Sequence, residues 1–130
     1  MTMSDHCDPK VCTLFAYGSL REPVIQQWLF GRMPSVQPDV LQGARCRWIE
    51  DLDADLFRLT GQRGYPALQR VSDPAAQVVG SRLDLSHPEL LRADAYEGPG
   101  YHRQRVTLQS GHCAWVYVEA PAHNEKPRPA

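Results

Sequence analysis

The chain has 130 residues, of which 42% are apolar and 22% charged, and its net charge is −1. This composition predicts one globular domain with its own hydrophobic core and excludes an intrinsically disordered chain. Basic and acidic residues are interleaved, and no apolar run approaches the roughly 20 residues that span a bilayer, so nothing in the sequence favours a nucleic-acid or membrane partner.

The four cysteines, Cys7, Cys12, Cys46 and Cys113, form no CxxC pair and no regular framework. The polar N-terminal residues lack the apolar stretch of a secretory signal peptide. We therefore expect reduced thiols and a cytoplasmic protein. No metal site is predicted around His6 and Cys7, because no second ligand pair lies at a matching spacing.

The first predicted elements are a strand and a helix. Residues 1–10 are a flexible lead-in, and residues 11–17 form a mostly apolar strand that is too short for a helix. Pro23 begins the helix and Gly31 ends it. The apolar stripe of this helix is predicted to comprise Val24, Ile25, Trp28 and Leu29.

A β-rich region is predicted in the middle of the chain, from about residue 40 to residue 85. Pro34 and Pro38 mark a loop before it. Gly, Pro and Asp residues divide the region into short apolar stretches. These stretches are 44–49, 55–59, 67–71 and 78–85.

The second helix is the clearest predicted element. Ser86 and Glu89 match a capping box, Pro88 falls in the first turn, and Gly98 follows the last helical residue. Two strands over 102–108 and 114–118 come next, joined by a turn at Ser110, and residues 121–130 are predicted to be disordered. Many short strands with two helices indicate a small mixed domain over 11–120, built around a curled sheet or barrel.

Glu97 is the candidate catalytic residue. It is the last predicted helical residue, and the negative end of a helix dipole disfavours a carboxylate there. Asp94 lies three residues earlier on the same face, and the rings of Tyr96 and Tyr101 can desolvate the site. We therefore expect a raised pKa for Glu97, which suits a group that takes and returns a proton near neutral pH.

The alternative for Glu97 is a solvated carboxylate at a helix end, with Gly98 as the cap. Arg103 or Arg105 would cancel the rise in pKa if either folded back onto it. Taken alone, a single glutamate is not a catalytic motif, and the surface interpretation is the more common one.

The stretch VCTLFAYGSLR, residues 11–21, ends its strand in a glycine and a hydroxyl. It is either an ordinary turn or an anion-binding loop whose successive N–H groups are open, with Gly18 allowing close approach. The patterns GxxxxGK[ST], GxSxG and GxGxxG are all absent, so Ser19 is not predicted to be a nucleophile. The loop has the size for a small anion such as a carboxylate.

A third feature is Gly64-Tyr65-Pro66. Gly64 can turn the ring of Tyr65 toward a pocket, and a plain loop with Tyr65 as a packing residue is an equal alternative.

Together, FAYGSLR, GYPAL and DAYEGPGYHRQRV occur in an order that resembles the gamma-glutamylcyclotransferase-like family, in particular its small bacterial and gamma-glutamylamine cyclotransferase branch. The resemblance covers roughly residues 11 to 118. One departure is Ala93, where the family often has leucine before the aspartate.

The resemblance implies an α+β fold, a compact mixed β-barrel with flanking helices. It implies that Glu97 is the general acid/base of a reaction in which the α-amine of a γ-glutamyl group attacks its own γ-carbonyl. The products are 5-oxoproline and a free amine or amino acid, and no cofactor or metal is required. The substrate-binding residues that it implies are Tyr17, Gly18, Ser19, Leu20, Tyr65, Tyr101 and Tyr117.

Two further interpretations remain open at this stage. The domain can be a non-catalytic module that binds a small carboxylate, because anion capture needs no chemistry. It can also be an accessory enzyme that removes a γ-glutamyl protecting group, which has the same chemistry and a different leaving group. The oligomeric state is not predicted.

Overall fold

The computed structural model describes residues 12–50 and 64–119. The predicted lead-in over 1–10, the predicted strand over 55–59 and the predicted tail over 121–130 lie outside this part of the chain. The described strands are β1 (Thr13–Ala16), β2 (Val36–Gln42), β3 (Ala44–Glu50), β4 (Gly64–Arg70), β5 (Gln77–Asp84), β6 (Tyr101–Thr107) and β7 (Cys113–Glu119). The helices are α1 (Pro23–Phe30) and α2 (His87–Glu97), with a 3-10 turn at Ser19–Arg21.

Five strands form one mixed sheet in the order β2-β5-β1-β7-β6, and β3 pairs with β4 in a second, two-stranded sheet. β1 lies in the centre, antiparallel to β5 and parallel to β7. The fold is therefore of the predicted α+β class. The two sheets do not close into a continuous barrel within the described residues, so the predicted barrel is only a loose description.

β1 is apolar after Thr13 because both of its faces are covered. Leu14 and Ala16 pack into a cluster with Leu20 and Ile25, whereas Phe15 points to the opposite cluster around Leu41. This alternation follows the two-residue period of a strand. Since Tyr17 and Gly18 follow directly, the well-packed strand fixes where the candidate site begins.

β2 corrects the prediction that Pro34 and Pro38 mark one loop. The strand begins at Val36, and Pro38 pairs with Ser81 inside it. β2 is an edge strand. A residue without an N–H is tolerated there because the free edge has no ladder hydrogen bond to lose.

α1 begins at Pro23 and ends before Gly31, whose φ is 74°, as predicted. Half of its predicted stripe is confirmed, because Ile25 is buried and Leu29 packs against the core, whereas Val24 and Trp28 are half-exposed. Gln26 is buried because its Nε2 donates to the carbonyl of a residue in the preceding turn, and a periodicity of apolar residues cannot register that contact.

α2 confirms the predicted capping box. Ser86 Oγ accepts from the N–H of Glu89, and the Glu89 carboxylate accepts from the N–H of Ser86. Arg32 also donates twice to this carboxylate and is the main reason that the pKa of Glu89 falls to about 2. The start of the helix is therefore fixed, and Glu97 is its last residue.

The expectation of reduced thiols is wrong for Cys113, which is disulfide-bonded. Spacing along the sequence could not reveal this bond, because the pairing of cysteines depends on the tertiary fold. Among the described residues, no helix combines the length and apolar character needed to cross a membrane.

Candidate active site

The loop after β1 is a tight turn with open donors. Gly18 precedes the 3-10 turn, and the N–H of Arg21 closes it by donating to the Gly18 carbonyl at 3.0 Å. Ser19 and Leu20 are the first residues of this turn, where helical geometry offers no upstream acceptor. Within the described part of the chain their N–H groups make no hydrogen bond. These two donors belong to the loop for which the sequence allows either an ordinary turn or an anion-binding role.

Gly18 is needed for close approach and not for a left-handed conformation, since its φ is −129°. A Cβ at this position would lie 3.2 Å from Cγ of Pro66. Pro66, in β4, therefore covers the loop from the second sheet.

Leu20 contributes its backbone and not its side chain to the loop surface. The side chain is 3% exposed and packs in the core. The buried Gln26 donates from Nε2 to the Leu20 carbonyl at 2.9 Å. The loop conformation is therefore held by α1.

Glu97 carries a strongly perturbed carboxyl group. Burial raises its pKa from 4.5 to about 7. The residue as a whole keeps some exposed surface, but the carboxyl is desolvated. Its carboxylate makes no hydrogen bond or ion pair within residues 12–50 and 64–119. A buried carboxyl without a cation is half-protonated near neutral pH, which is the property that proton transfer requires.

Three phenols surround Glu97. Its negative charge contributes to raising the pKa of Tyr17, Tyr96 and Tyr117, although burial is the largest cause for each. All three hydroxyls therefore stay protonated at neutral pH. The surroundings of Glu97 are thus aromatic and neutral, which accounts for the desolvation of its carboxyl.

Ser19 connects the loop to α2. Its Oγ lies 2.6 Å from the hydroxyl of Tyr96, the residue before Glu97. Trp28 of α1 packs edge-on against the Tyr96 ring, with 6.1 Å between ring centroids. This contact fixes the distance between the open N–H groups and the end of α2, and it gives Ser19 a structural partner.

The sequence suggests that Asp94 raises the pKa of Glu97 and that Arg103 or Arg105 could cancel this rise. In the structure these three residues have other partners. Asp94 receives two hydrogen bonds from Arg103, at 2.6 and 3.1 Å, and one from the Tyr117 hydroxyl at 2.7 Å. It is not a cause of the raised pKa of Glu97, which burial explains. Arg103 is thus paired with Asp94, and Arg105 lies over the ring of Trp115.

We expect Asp94→Asn to lower the free energy of unfolding by ~1–2 kcal/mol, because an amide cannot pair with Arg103 and accepts less well from Tyr117. Urea unfolding followed by circular dichroism measures the change. Tyr117→Phe removes the same hydrogen bond from its other side and is expected to cost a similar amount. An Asp94→Asn midpoint equal to that of the wild type would show that this network does not stabilise the site.

Four of the predicted binding residues line two cavities. One, the loop cavity, has a volume of about 450 Å³ and is lined by Tyr17, Gly18, Arg21, Glu22, Trp48 and Pro66. The other, the Asp94 cavity, has a volume of about 330 Å³ and is lined by Asp94, Tyr101, His102, Arg103, Trp115 and Tyr117. Tyr17 and Tyr117 connect the two, since the Tyr17 hydroxyl donates to the Tyr117 carbonyl at 2.6 Å.

The structure therefore groups only some of the predicted site residues. Tyr17 and Gly18 line the loop cavity, whereas Tyr101 and Tyr117 line the Asp94 cavity. Glu97 lines neither cavity, although its charge contributes to the raised pKa values of Tyr17 and Tyr117. Tyr65 pairs with a residue of β3 in the second sheet, and its side chain lies outside the described part.

Sequence reasoning missed Trp48 and Pro66 as parts of a cavity wall, and Tyr96 as the partner of Ser19. Trp48 and Pro66 are register partners in the second sheet. They reach the loop through the fold and not through any local pattern. Trp48 lies in a strand that also contains charged residues. A tryptophan in such a position is a signal of a binding surface, because large exposed aromatic rings often mark one.

Comparisons with known proteins identify the family and the fold. Residues 14–130 match the protein family described as "Gamma-glutamyl cyclotransferase, AIG2-like". None of the curated proteins that were compared matches the chain.

Two solved structures from Arabidopsis thaliana are similar in fold. The solution structure of At5g39720.1 has a TM-score of 0.66 at 20% identity, over 96% of this chain and 79% of that one. The solution structure of At3g28950.1 has a TM-score of 0.64 at 25% identity, over 98% of this chain and 70% of that one.

Proposed function

The chain belongs to the AIG2-like gamma-glutamyl cyclotransferase family, and on that premise we propose that it converts a γ-glutamyl amide into 5-oxoproline and a free amine, with Glu97 as the general acid/base. The observation that carries the proposal is the desolvated Glu97 carboxyl without a cationic partner, with a pKa of about 7. The cytoplasmic location expected from the sequence is not part of this proposal, because cytosolic thiols are ordinarily kept reduced and Cys113 is disulfide-bonded.

In this proposal the loop holds the substrate. The open N–H groups of Ser19 and Leu20 bind the α-carboxylate of the γ-glutamyl group, and Gly18 allows the substrate to approach the backbone. Holding the substrate folded brings its α-nitrogen next to its γ-carbonyl carbon. Such orientation removes much of the entropic cost of ring closure.

Glu97 then moves the protons. Its ionised carboxylate takes one proton from the α-ammonium, and the resulting amine attacks the γ-carbonyl carbon. As the tetrahedral intermediate collapses, the carbon–nitrogen bond to the leaving group breaks and that nitrogen receives a proton from Glu97. The attacking nitrogen loses a second proton by the same route, so the amine leaves as an ammonium ion and Glu97 returns to its ionised form.

The neutral phenols around Glu97 support this role. Tyr17, Tyr96 and Tyr117 feel the charge of Glu97 and are themselves neutral, so none of them supplies a cation that would lower its raised pKa. An ordinary glutamate with a pKa near 4.5 would be too weak a base for an ammonium group.

The test is to incubate the protein with γ-glutamyl dipeptides, γ-glutamyl amines and ε-(γ-glutamyl)lysine and to assay 5-oxoproline. We expect time-dependent 5-oxoproline with at least one of them. Tight binding without any product over long incubation would contradict the proposal and favour a non-catalytic module that senses a small carboxylate.

We expect kcat/KM to rise with pH along a single ionisation and to level off above pH 7. The sign follows from the role of Glu97, which must be ionised to accept a proton and is ionised only above its pKa of about 7. Initial rates between about pH 3.5 and pH 8.5 measure the inflection. An inflection near 4.5, the ordinary value for glutamate, would contradict the assignment.

A further inference from the structure

Two of the residues that line the loop cavity are charged, and the proposed reaction uses neither of them. Arg21 and Glu22 both line this cavity, next to the exposed ring of Trp48. Within the described residues neither side chain makes an ion pair or a hydrogen bond. By contrast, Arg32 and Arg82 are paired with the buried carboxylates of Glu89 and Asp39.

The position of Arg21 relative to the loop decides which part of a substrate it can meet. The hydrogen bond from the Arg21 N–H to the Gly18 carbonyl places the two residues at opposite ends of the turn. In the proposed function the γ-glutamyl group is held by the N–H groups of the two residues between them. Arg21, Glu22 and Trp48 line the same cavity, and we assign them to the leaving group.

We propose that Arg21 is a specificity-determining residue that favours leaving groups bearing a carboxylate, an inference that rests on the proposed function. A guanidinium binds a carboxylate with two parallel hydrogen bonds, which makes it selective for that group over a neutral one. Glu22 acts in the opposite sense, because it repels a carboxylate and attracts a cation. The volume of about 450 Å³ lies within the range of small-ligand cavities.

The experiment compares two substrates that differ only at the end of the leaving group. γ-Glutamylglycine releases an amine with a carboxylate, and γ-glutamylethylamide releases an amine with a methyl group in its place. We expect Arg21→Gln to lower kcat/KM for γ-glutamylglycine about tenfold, the value of one charge-assisted hydrogen bond. The same variant is expected to change the value for γ-glutamylethylamide by less than about twofold.

Two further variants control for general effects on the loop. Arg21→Lys keeps the charge and loses the two parallel hydrogen bonds, so it should restore only part of the activity on γ-glutamylglycine. Glu22→Gln lies on the same wall and should raise kcat/KM for γ-glutamylglycine relative to the ethylamide. The two amines differ in basicity, so the comparison rests on how each variant changes the ratio of the two values and not on the wild-type ratio.

Inhibition by 5-oxoproline separates the two possible positions of Arg21. This product keeps the carboxylate of the glutamyl group and has no leaving group, so Arg21→Gln should leave its inhibition constant unchanged. Equal losses on both substrates together with weaker inhibition would place Arg21 on the glutamyl carboxylate and overturn the inference. An unchanged substrate ratio in Arg21→Gln would also overturn it.

If the proposed function is wrong, the role of Arg21 can still be tested by binding. If the wild type turns over neither compound, calorimetry of the two compounds with wild type and Arg21→Gln still tests Arg21. Tighter binding of γ-glutamylglycine than of the ethylamide, lost in Arg21→Gln, supports the inference without catalysis. Equal binding of both compounds by the wild type overturns it.

Discussion

Replacing Glu97 by glutamine is expected to lower kcat for 5-oxoproline release by about 10³-fold, within the range that a positioned acid/base supplies. Glutamine has the shape of glutamate and cannot exchange a proton near neutral pH, so substrate binding should persist while turnover is lost. Steady-state assays of 5-oxoproline measure kcat, and calorimetry with 5-oxoproline measures binding. Full activity of Glu97→Gln would show that another group moves the proton.

The controls for Glu97→Gln address folding and charge. Glu50→Gln changes an exposed glutamate that lines neither cavity and should leave kcat unchanged. Glu97→Gln itself should be at least as stable as the wild type above pH 7. A carboxyl whose pKa is raised from 4.5 to about 7 loses stability as pH rises through that window, because its charged form is disfavoured in the fold. Glutamine removes that cost, so loss of activity cannot be attributed to unfolding.

Gly80→Ala is expected to lower the free energy of unfolding by ~3 kcal/mol or more, at the upper end of the cost of overpacking. Gly80 lies in β5 between its neighbours β1 and β2. A Cβ there would overlap the carbonyl oxygen of Ala16 and the ring of Phe15. The obstacle includes a backbone atom, so no side-chain rotation can relieve it, and β1 must move.

The effect of Gly80→Ala should reach the site, because β1 ends one residue before Tyr17. Guanidinium unfolding curves measure the loss of stability. Gly100→Ala is the matched control, since a Cβ at Gly100 meets nothing within 4 Å, and it should change stability by less than about 0.5 kcal/mol. Equal midpoints for the two variants would show that β1 and β5 can separate without cost.

The sequence predicted those features that depend on neighbours along the chain. The capping box at Ser86 and Glu89, the glycine stop after α1 and the end of α2 at Glu97 are all local. The expectation of a raised pKa for Glu97 rested on the helix dipole, the charge of Asp94 and desolvation by aromatic rings. Of these three causes, only desolvation raises the pKa in the structure.

Features that depend on the tertiary fold were beyond prediction. Tyr117 follows Asp94 by 23 positions, and their hydrogen bond exists only because β7 lies beside the end of α2. Pro38 suggests a loop because proline disrupts central strands, but β2 is an edge strand. Tyr17 and Tyr101 line different cavities. The cavity at Tyr17 also includes Trp48 and Pro66 of the second sheet, so it exists only in the tertiary fold.

The most direct test of the central claim is the identity of the product formed in water enriched in ¹⁸O. The wild-type protein, given a γ-glutamyl substrate that it turns over, should yield 5-oxoproline and free amine in equal amounts. The 5-oxoproline should carry no ¹⁸O, because the attacking nitrogen belongs to the substrate. Glutamate labelled with ¹⁸O in its γ-carboxylate would mean that water attacks the carbonyl, and it would contradict the cyclisation mechanism.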